Sequence, residues 1–481
     1  MENRRKFIKR LGLTTGALGL LGSSPLFAIN SKSFSYNPVK IIGKVSDGKK
    51  GIAHVAVSDG EIVVTTDKNG DFEFWSTGNQ PFVFLSTPSG FALKQQTNGS
   101  ARFFVPINPN RTKNKIHFQL ERLAQKDENH SFLLLADPQI QDEYEVQQLL
   151  NTSTPDVIKT IQQIDDPNTF GIGCGDLVFD RLDLLEDYDQ AISKMQIPFF
   201  QVIGNHDMDV NARTDEFSAN TFQKRYGPTY YSFNRGEIHY VVLDDVFFTG
   251  AGNDFIGYLT ETQLAWLEQD LAYVTKGSTV VVSTHIPTHN LVKNRKALYD
   301  LLSPFKVHIL SGHTHRNDNY VTPSYFEHCH GTVCGAWWSG PICGDGTPSG
   351  YGVYNVKGSE LAWHYKAVGK PKDHQFRFYQ RGSLEEFPNS CVLNIWNYDP
   401  EWKIAWYENG ERKSHIRKIR TVDPLSVALH LGKKIPERRP WVEPYANDHM
   451  FLFEPNDHVK DITIEVEDRF GNKYLETVQV G

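Results

Sequence analysis

Cysteine is scarce in this chain, and the little there is cannot build a thiolate metal site. Five cysteines are spread over 481 residues, at Cys174, Cys329, Cys334, Cys343 and Cys391, and they are not spaced like a zinc site. The odd count leaves at least one thiol without a partner in the chain. Cys174 lies in an apolar run and reads as a buried thiol; one disulfide among Cys329, Cys334 and Cys343 is compatible with their closeness in sequence. Long apolar runs are missing too. The segment from about Leu11 to Leu21 is too short for a bilayer, which needs roughly 20 residues, and nothing later is longer. It follows Arg4-Arg5-Lys6 and precedes a small residue at Ala28. Residues 1–28 are therefore expected to be a secretory signal of the twin-arginine type. The mature chain is expected to be exported, periplasmic or on the cell surface, with no transmembrane segment and no lipid anchor. Positive charge is the third shortage. The formal charge is −7, and without the net +4 of the leader it becomes −11. That excludes a general nucleic-acid binder, so any phosphate is held locally, by metal or by a few groups.

What is present falls into three regions, as the length leads one to expect. Residues 34–122 alternate apolar and polar side chains between Asp-Gly and Asn-Gly turns, the pattern of short strands. Val55 and Val57 are expected on one side, His54 and Ala56 on the other. The segment resembles a small transthyretin-like or carboxypeptidase-regulatory β-sandwich, which implies an accessory domain. Residues 127–369 change to short apolar runs alternating with helical segments, an α/β pattern. In the helix that begins at Thr260, Thr260 and Gln263 fit a capping box, and Leu264, Leu267 and Leu271 share a face. Residues 370–481 return to alternating strands and are expected to be a second, all-β domain.

Five apolar runs of the middle region end in a group able to hold a metal. "FLLLA" ends at Asp137, "TFGIGCG" at Asp176, "FFQVIG" at Asn205-His206-Asp207, "VVVST" at His285 and "HILSG" at His313-Thr314-His315. In an α/β fold such strand ends gather along one edge, where ligands bind. A lone Asp there is usually a cap and a lone His a satisfied surface residue; five together are not explained by packing. Glycines precede Asp176, Asn205 and His313, where a sharp turn is expected. His313 and His315, like Asp137 and Gln139, are two apart and would project to one side in extended backbone.

These segments, "DPQ" at 137–139, "GDLVFD" at 175–180, "GNHD" at 204–207, "STHIP" around His285 and "GHTH" at 312–315, resemble the calcineurin-like metallophosphoesterase family, and the three-part order resembles its exported bacterial type with β domains on both sides. The resemblance implies an α/β (α+β) β-sandwich flanked by helices, with two divalent metal ions at the strand ends. It implies that Asp137 and His315 hold the first metal, that Asn205, His285 and His313 hold the second, and that Asp176 bridges them. A metal-bridging hydroxide would then attack phosphorus. His206 would protonate the leaving oxygen or stabilise the transition state, with Asp207 orienting its ring. Carboxylate, amide and imidazole donors suit manganese, iron or zinc. Gln139 stands where the family has a histidine, and an amide oxygen is a weaker, harder donor. It binds the first metal directly, through water, or not at all. Trp337 and Trp338 line a substrate cleft or simply pack, Asp180 faces the centre or caps the next helix, and His289 is close enough to His285 to touch substrate. His308, His328 and His330 are not expected to be ligands. The implied function is hydrolysis of a phosphomonoester or phosphodiester, on a small molecule, a glycan or a lipid-derived substrate. The alternative is a glycan-binding protein with a vestigial metal centre.

Overall fold

A computed structural model describes residues 38–250, 254–413 and 415–480; the expected signal, 1–28, lies outside the described residues. Two mixed sheets form the middle of the molecule. In the first, Asn129–Leu135 runs parallel to Phe170–Cys174, which runs parallel to Phe199–Val202. Its other edge pairs antiparallel with Gly350–Lys357, followed by Glu360–Ala367. In the second, Ile238–Val242, Thr279–Ser283, Lys306–Ser311 and Tyr325–Cys329 are mutually parallel, with Tyr231–Arg235 and Asp318–Val321 antiparallel at the edges.

Every residue of Phe170–Cys174, Phe199–Val202, Ile238–Val242 and Thr279–Ser283 is buried. These strands are covered on both faces, which is why they read as continuous apolar runs. Between the sheets the core is aromatic. Phe200 stacks on Phe233 at 3.7 Å, and Phe132 meets Tyr240 edge-on at 5.7 Å. Because the strands that carry the motifs are parallel within each sheet, their C-terminal ends come to one edge.

Helices Thr154–Ile164, Leu185–Lys194 and Glu261–Leu271 pack outside the sheets. The capping box at Thr260 is half made. The Thr260 hydroxyl accepts from the Gln263 N–H at 3.3 Å. The Gln263 side chain, however, turns inward and exchanges two hydrogen bonds of 2.7 Å with the backbone of Asp244.

The N-terminal region forms a three-stranded and a four-stranded sheet around Ile41, Val45, Val55, Val57 and Val83, with His54 outward as the alternation predicts. After residue 370, two four-stranded antiparallel sheets enclose Leu393, Trp406 and Ile464. That region is not all-β. Helix Pro424–His430 interrupts it, and the Asp423 side chain accepts from the Ser426 N–H at 3.0 Å. Seven residues make barely two turns, too few for a helical period to stand out. The disulfide that the closeness of Cys329, Cys334 and Cys343 allows is not formed: all five cysteines are buried free thiols. No helix among the described residues is long and apolar enough to cross a membrane.

Candidate metal centre

The five motif segments meet at the shared sheet edge, but not by extended backbone. Asp137, Gln139, Asp176, His313 and His315 all have left-handed φ, between +42° and +70°, a conformation that L side chains rarely hold. The i, i+2 projection expected for Asp137/Gln139 and His313/His315 therefore does not apply; tight left-handed turns aim these side chains instead. The glycines serve a purpose beyond the expected turn. Only Gly175 of the three has positive φ. What all three provide is room: a Cβ on Gly204 would lie 2.0 Å from the Asp176 nitrogen, one on Gly312 2.4 Å from Asp137 Oδ2, and one on Gly175 2.3 Å from His285 Nδ1.

One half of the centre is closed on itself. Asp176, His285 and His313 bring donor atoms within 4.8 Å of one another. His285 donates from Nδ1 to the Cys174 carbonyl at 2.9 Å, which fixes the ring and leaves Nε2 facing inward. That Nε2 lies 3.2 Å from Asn205 Oδ1, 3.2 Å from His313 Nδ1 and 3.3 Å from Asp176 Oδ1. Four donor atoms thus surround one point.

On the other side of Asp176 the contacts are incomplete. His315 donates from Nδ1 to the Gly335 carbonyl at 2.7 Å. Its Nε2 is buried, has no hydrogen-bond partner and lies 3.6 Å from Asp137 Oδ1. The Gln139 amide nitrogen donates to Asp176 Oδ2 at 2.8 Å, while its oxygen is buried and unpartnered. A buried acceptor without a partner is costly. Two of them beside two carboxylates fit a cation, so the residues present suit bound divalent metal.

Burial pushes the Asp137 carboxyl up to about 8. Burial also opposes ionisation of Asp176, but the imidazoles of His285 and His206 outweigh it and hold Asp176 below the usual carboxylate range. His285 is lifted to about 10, because the Asp176 carboxylate overrides the effect of burial. Burial takes His313 down to about 3 and His315 to about 4, so both rings stay neutral, the form that binds metal.

The sequence comparisons follow the same three regions. The description "Calcineurin-like phosphoesterase" matches residues 130–317, its N-terminal companion 39–123 and its C-terminal companion 327–474. The chain belongs to the calcineurin-like phosphoesterase family. Its central domain is that of a metal-dependent phosphoesterase. Serine/threonine-protein phosphatase CPPED1 of Bos taurus is 30% identical over 183 residues, 33% of this chain and 57% of that protein. The chain thus spans little more than half the length of that curated relative. Among solved structures, a purple acid phosphatase from yellow lupin (Lupinus luteus) seeds is similar at 11% identity and TM-score 0.38, over 66% of this chain and 67% of that one. A 5′-nucleotidase from Candida albicans is similar at 12% identity and TM-score 0.32, over 49% and 50%.

Around this calcineurin-like centre the supporting residues differ from those expected. His206 has its side chain 21% exposed, so the ring reaches the open face, and its Nδ1 meets Asp180 Oδ1 at 2.9 Å. Asp180, not Asp207, orients the imidazole. Asp207 points the other way and is wholly buried. It accepts from the N–H groups of Leu177 and Val178 at 2.8 and 3.2 Å and of Gly204 at 2.9 Å, tying the "GDLV" and "GNHD" loops together. An aspartate beside a histidine in sequence points elsewhere when the backbone turns between them, as it does in the one-turn 3₁₀ helix Asn205–Asp207. Asp245 was missed. It accepts from the N–H groups of His285 and Ile286, both at 3.1 Å, and the signal for it was a sixth apolar run, "IHYVVLDD", ending in acids.

Trp337 lies flat on His315, ring centres 3.9 Å apart. Trp338 donates from its indole to the Pro138 carbonyl at 3.0 Å, which holds the loop between Asp137 and Gln139. His289 stacks on Tyr320 and lies 3.3 Å from the buried Glu327. With Thr314, Arg316 and Arg420 it lines a cleft of about 200 Å³ between the central and C-terminal regions.

Proposed function

We propose that the protein is an exported hydrolase of phosphoesters that works with two divalent metals. The observation that carries this is the convergence of Asp176, Asn205, His285 and His313 donor atoms on one side of the Asp176 carboxylate, with the orphaned Gln139 oxygen and His315 Nε2 on the other. Asp137, Gln139, Asp176 and His315 would hold the first ion; Asp176, Asn205, His285 and His313 would hold the second. Manganese, iron or zinc suits these donors. When bound, such a pair would neutralise phosphoryl oxygens and acidify a water nucleophile.

The chain's own residues supply the rest. His206, on the open face and held by Asp180, delivers a proton to the departing oxygen. Asp245 and the Cys174 carbonyl fix His285, and Asp207 keeps the two loops in register. The cleft beside Thr314, with Arg316, Arg420 and His289, receives polar or anionic groups of a small-molecule or glycan ester. The N-terminal sandwich, of transthyretin-like type, serves as an accessory domain, and residues 1–28 direct export.

The test is metal content and turnover together. After reconstitution with manganese, iron or zinc, up to two ions per chain are expected, with hydrolysis of p-nitrophenyl phosphate or its bis-ester. Metal-loaded protein inert on both would favour a glycan-binding role, and protein that takes up no metal would overturn the proposal outright.

A further inference from the structure

Outside the centre, one side chain of the C-terminal region stands where packing does not require it. Trp441 is 52% exposed. It meets Trp337 at 4.8 Å with the two rings inclined by 59°, and Trp337 in turn lies flat on His315 at 3.9 Å. Two indoles therefore open as a corner next to a residue of the first half of the centre. The corner is built at a cost in backbone strain: Trp337, Trp338 and Arg439 all have left-handed φ, at +51°, +58° and +54°, unfavourable for bulky side chains and characteristic of functional sites.

The segment that carries Trp441 is anchored by the two arginines before it. Arg438 and Arg439 pair with the buried Glu145 at 2.8 and 2.7 Å, and Arg439 also donates to Gln141 Oε1 at 2.7 Å. The Arg439 guanidinium lies 5.1 Å over the Phe179 ring, and Phe179 meets the His206 ring edge-on at 4.3 Å. Two residues apart, Arg439 and Trp441 thus reach the neighbour of His206 and the neighbour of His315. The segment runs along the lip of the centre, and Trp441 is its exposed ring.

Resting on the phosphoesterase function above, we propose that Trp441 and Trp337 form a subsite for a flat ring on the organic group of the ester. An indole face attracts ring faces by dispersion and by its quadrupole, whether the ring is an aromatic base or the C–H face of a pyranose. Stacking a base on an aromatic side chain is worth about 1–3 kcal/mol by alanine substitution, so a preference of about tenfold is expected.

Calorimetric binding to the metal-loaded full chain tests this with two pairs of probes, each pair sharing a primary phosphate ester: adenosine 5′-monophosphate against ribose 5-phosphate, and glucose 6-phosphate against glycerol 3-phosphate. The ring-bearing member of at least one pair should bind about tenfold tighter. That ratio should fall to near one in Trp441→Ala and return in Trp441→Phe. The exposed Trp75 of the N-terminal region is the control, and Trp75→Ala should leave the ratio unchanged. Loss confined to the adenosine pair assigns the subsite to aromatic rings, loss confined to the glucose pair to sugars. A ratio near one in the wild type, a ratio unchanged by Trp441→Ala, or equal weakening of all four probes would overturn the proposal. The titrations are made on a His206→Ala background, which keeps the metal donors and slows turnover of the probes. Expected binding ratios there, with protein that retains His206 yet does not hydrolyse, would count against the phosphoesterase function and not against the subsite.

Discussion

Four histidines where the motif strands end and three of those within strands allow a comparison in one sandwich. His313 and His315 are left-handed, His206 lies in a one-turn 3₁₀ helix and His285 at the bend after Thr279–Ser283, and all four stand among carboxylates. His130, His308 and His328 lie within strands and meet a hydroxyl or another ring: His130 Nε2 touches the Tyr240 hydroxyl at 2.6 Å, and His308 Nδ1 faces His328 Nε2 at 3.0 Å. His330 directly follows Tyr325–Cys329, yet its Nε2 touches the Tyr354 hydroxyl at 2.7 Å. The residue type is the same, but the outcome depends on what the next loop brings to the ring. Within these strands a histidine is a polar packing piece. Past a strand end, where a glycine lets two loops come together around a carboxylate, it can share a cation with that carboxylate.

The largest effect should come from the residue common to both halves of the strand-end set. Asp176 is touched by His206, His285 and Gln139, so Asp176→Ala removes a donor from each side. Metal content should fall below one ion per chain. Turnover should fall at least as far as the roughly 10²–10⁴-fold typical of a lost acid–base group. Retention of two ions by this variant would break the division into two halves that share a bridge.

The buried histidines outside the centre should show themselves in acid. Burial depresses His130 and His308 to about 4 and His330 to about 3, below the value of about 6.5 in an unfolded chain. The unfolded state then binds more protons below pH 6.5. The stability these groups contribute is complete above pH 6.5 and is lost as pH falls toward 4, on the order of 2–3 kcal/mol for each group. Urea unfolding between pH 7 and 4 should show this slope, and His330→Phe should flatten it by about one proton. An identical slope in that variant would mean the buried ring titrates normally.

Much of the strand-end set could be read from the sequence because each member ends an apolar run with a recognisable local pattern. Asp137, Asp176, Asn205, His285, His313 and His315 stand in such patterns, and the structure gathers all six. What surrounds them was less legible. Asp180 reaches His206 across 26 positions, and from the sequence capping of the next helix was the favoured role. Trp441 lies more than 100 positions from Trp337 and depends on the packing of a different domain. The glycines were noticed for only part of their reason, a turn that holds at Gly175, because sequence shows a small residue but not the atom that would collide with a larger one. The helix Pro424–His430 was too short to display its period.

A smaller effect separates the two aspartates near His206. Asp180→Asn should lower turnover by about 10–100-fold, the range for groups that orient catalytic or ligating side chains, with little change in melting temperature. Asp207→Ala should act on stability instead. It strands three buried N–H groups, each costing about 1–3 kcal/mol. The loss from His206→Ala should be greater on alkyl than on aryl esters, since a good leaving group needs little protonation. If Asp207→Ala changed the leaving-group dependence while Asp180→Asn did not, the assignment of these two residues would be reversed.

The smallest effect concerns the incomplete half, at Gln139. Its amide nitrogen donates to Asp176 Oδ2 at 2.8 Å, which leaves its buried oxygen without a partner and free to meet a cation. Gln139→His should therefore preserve binding and tighten the first metal by about tenfold, because imidazole is the better donor for manganese, iron or zinc. The backbone favours the change: residue 139 has φ +42°, and histidine tolerates left-handed conformations better than most side chains. Pro138, whose carbonyl is held by the Trp338 indole, keeps the loop in place during the exchange. Gln139→Ala should loosen the same ion by a similar factor. Chelator competition reads both, and unchanged affinity in the two variants would place residue 139 outside the coordination of the first metal.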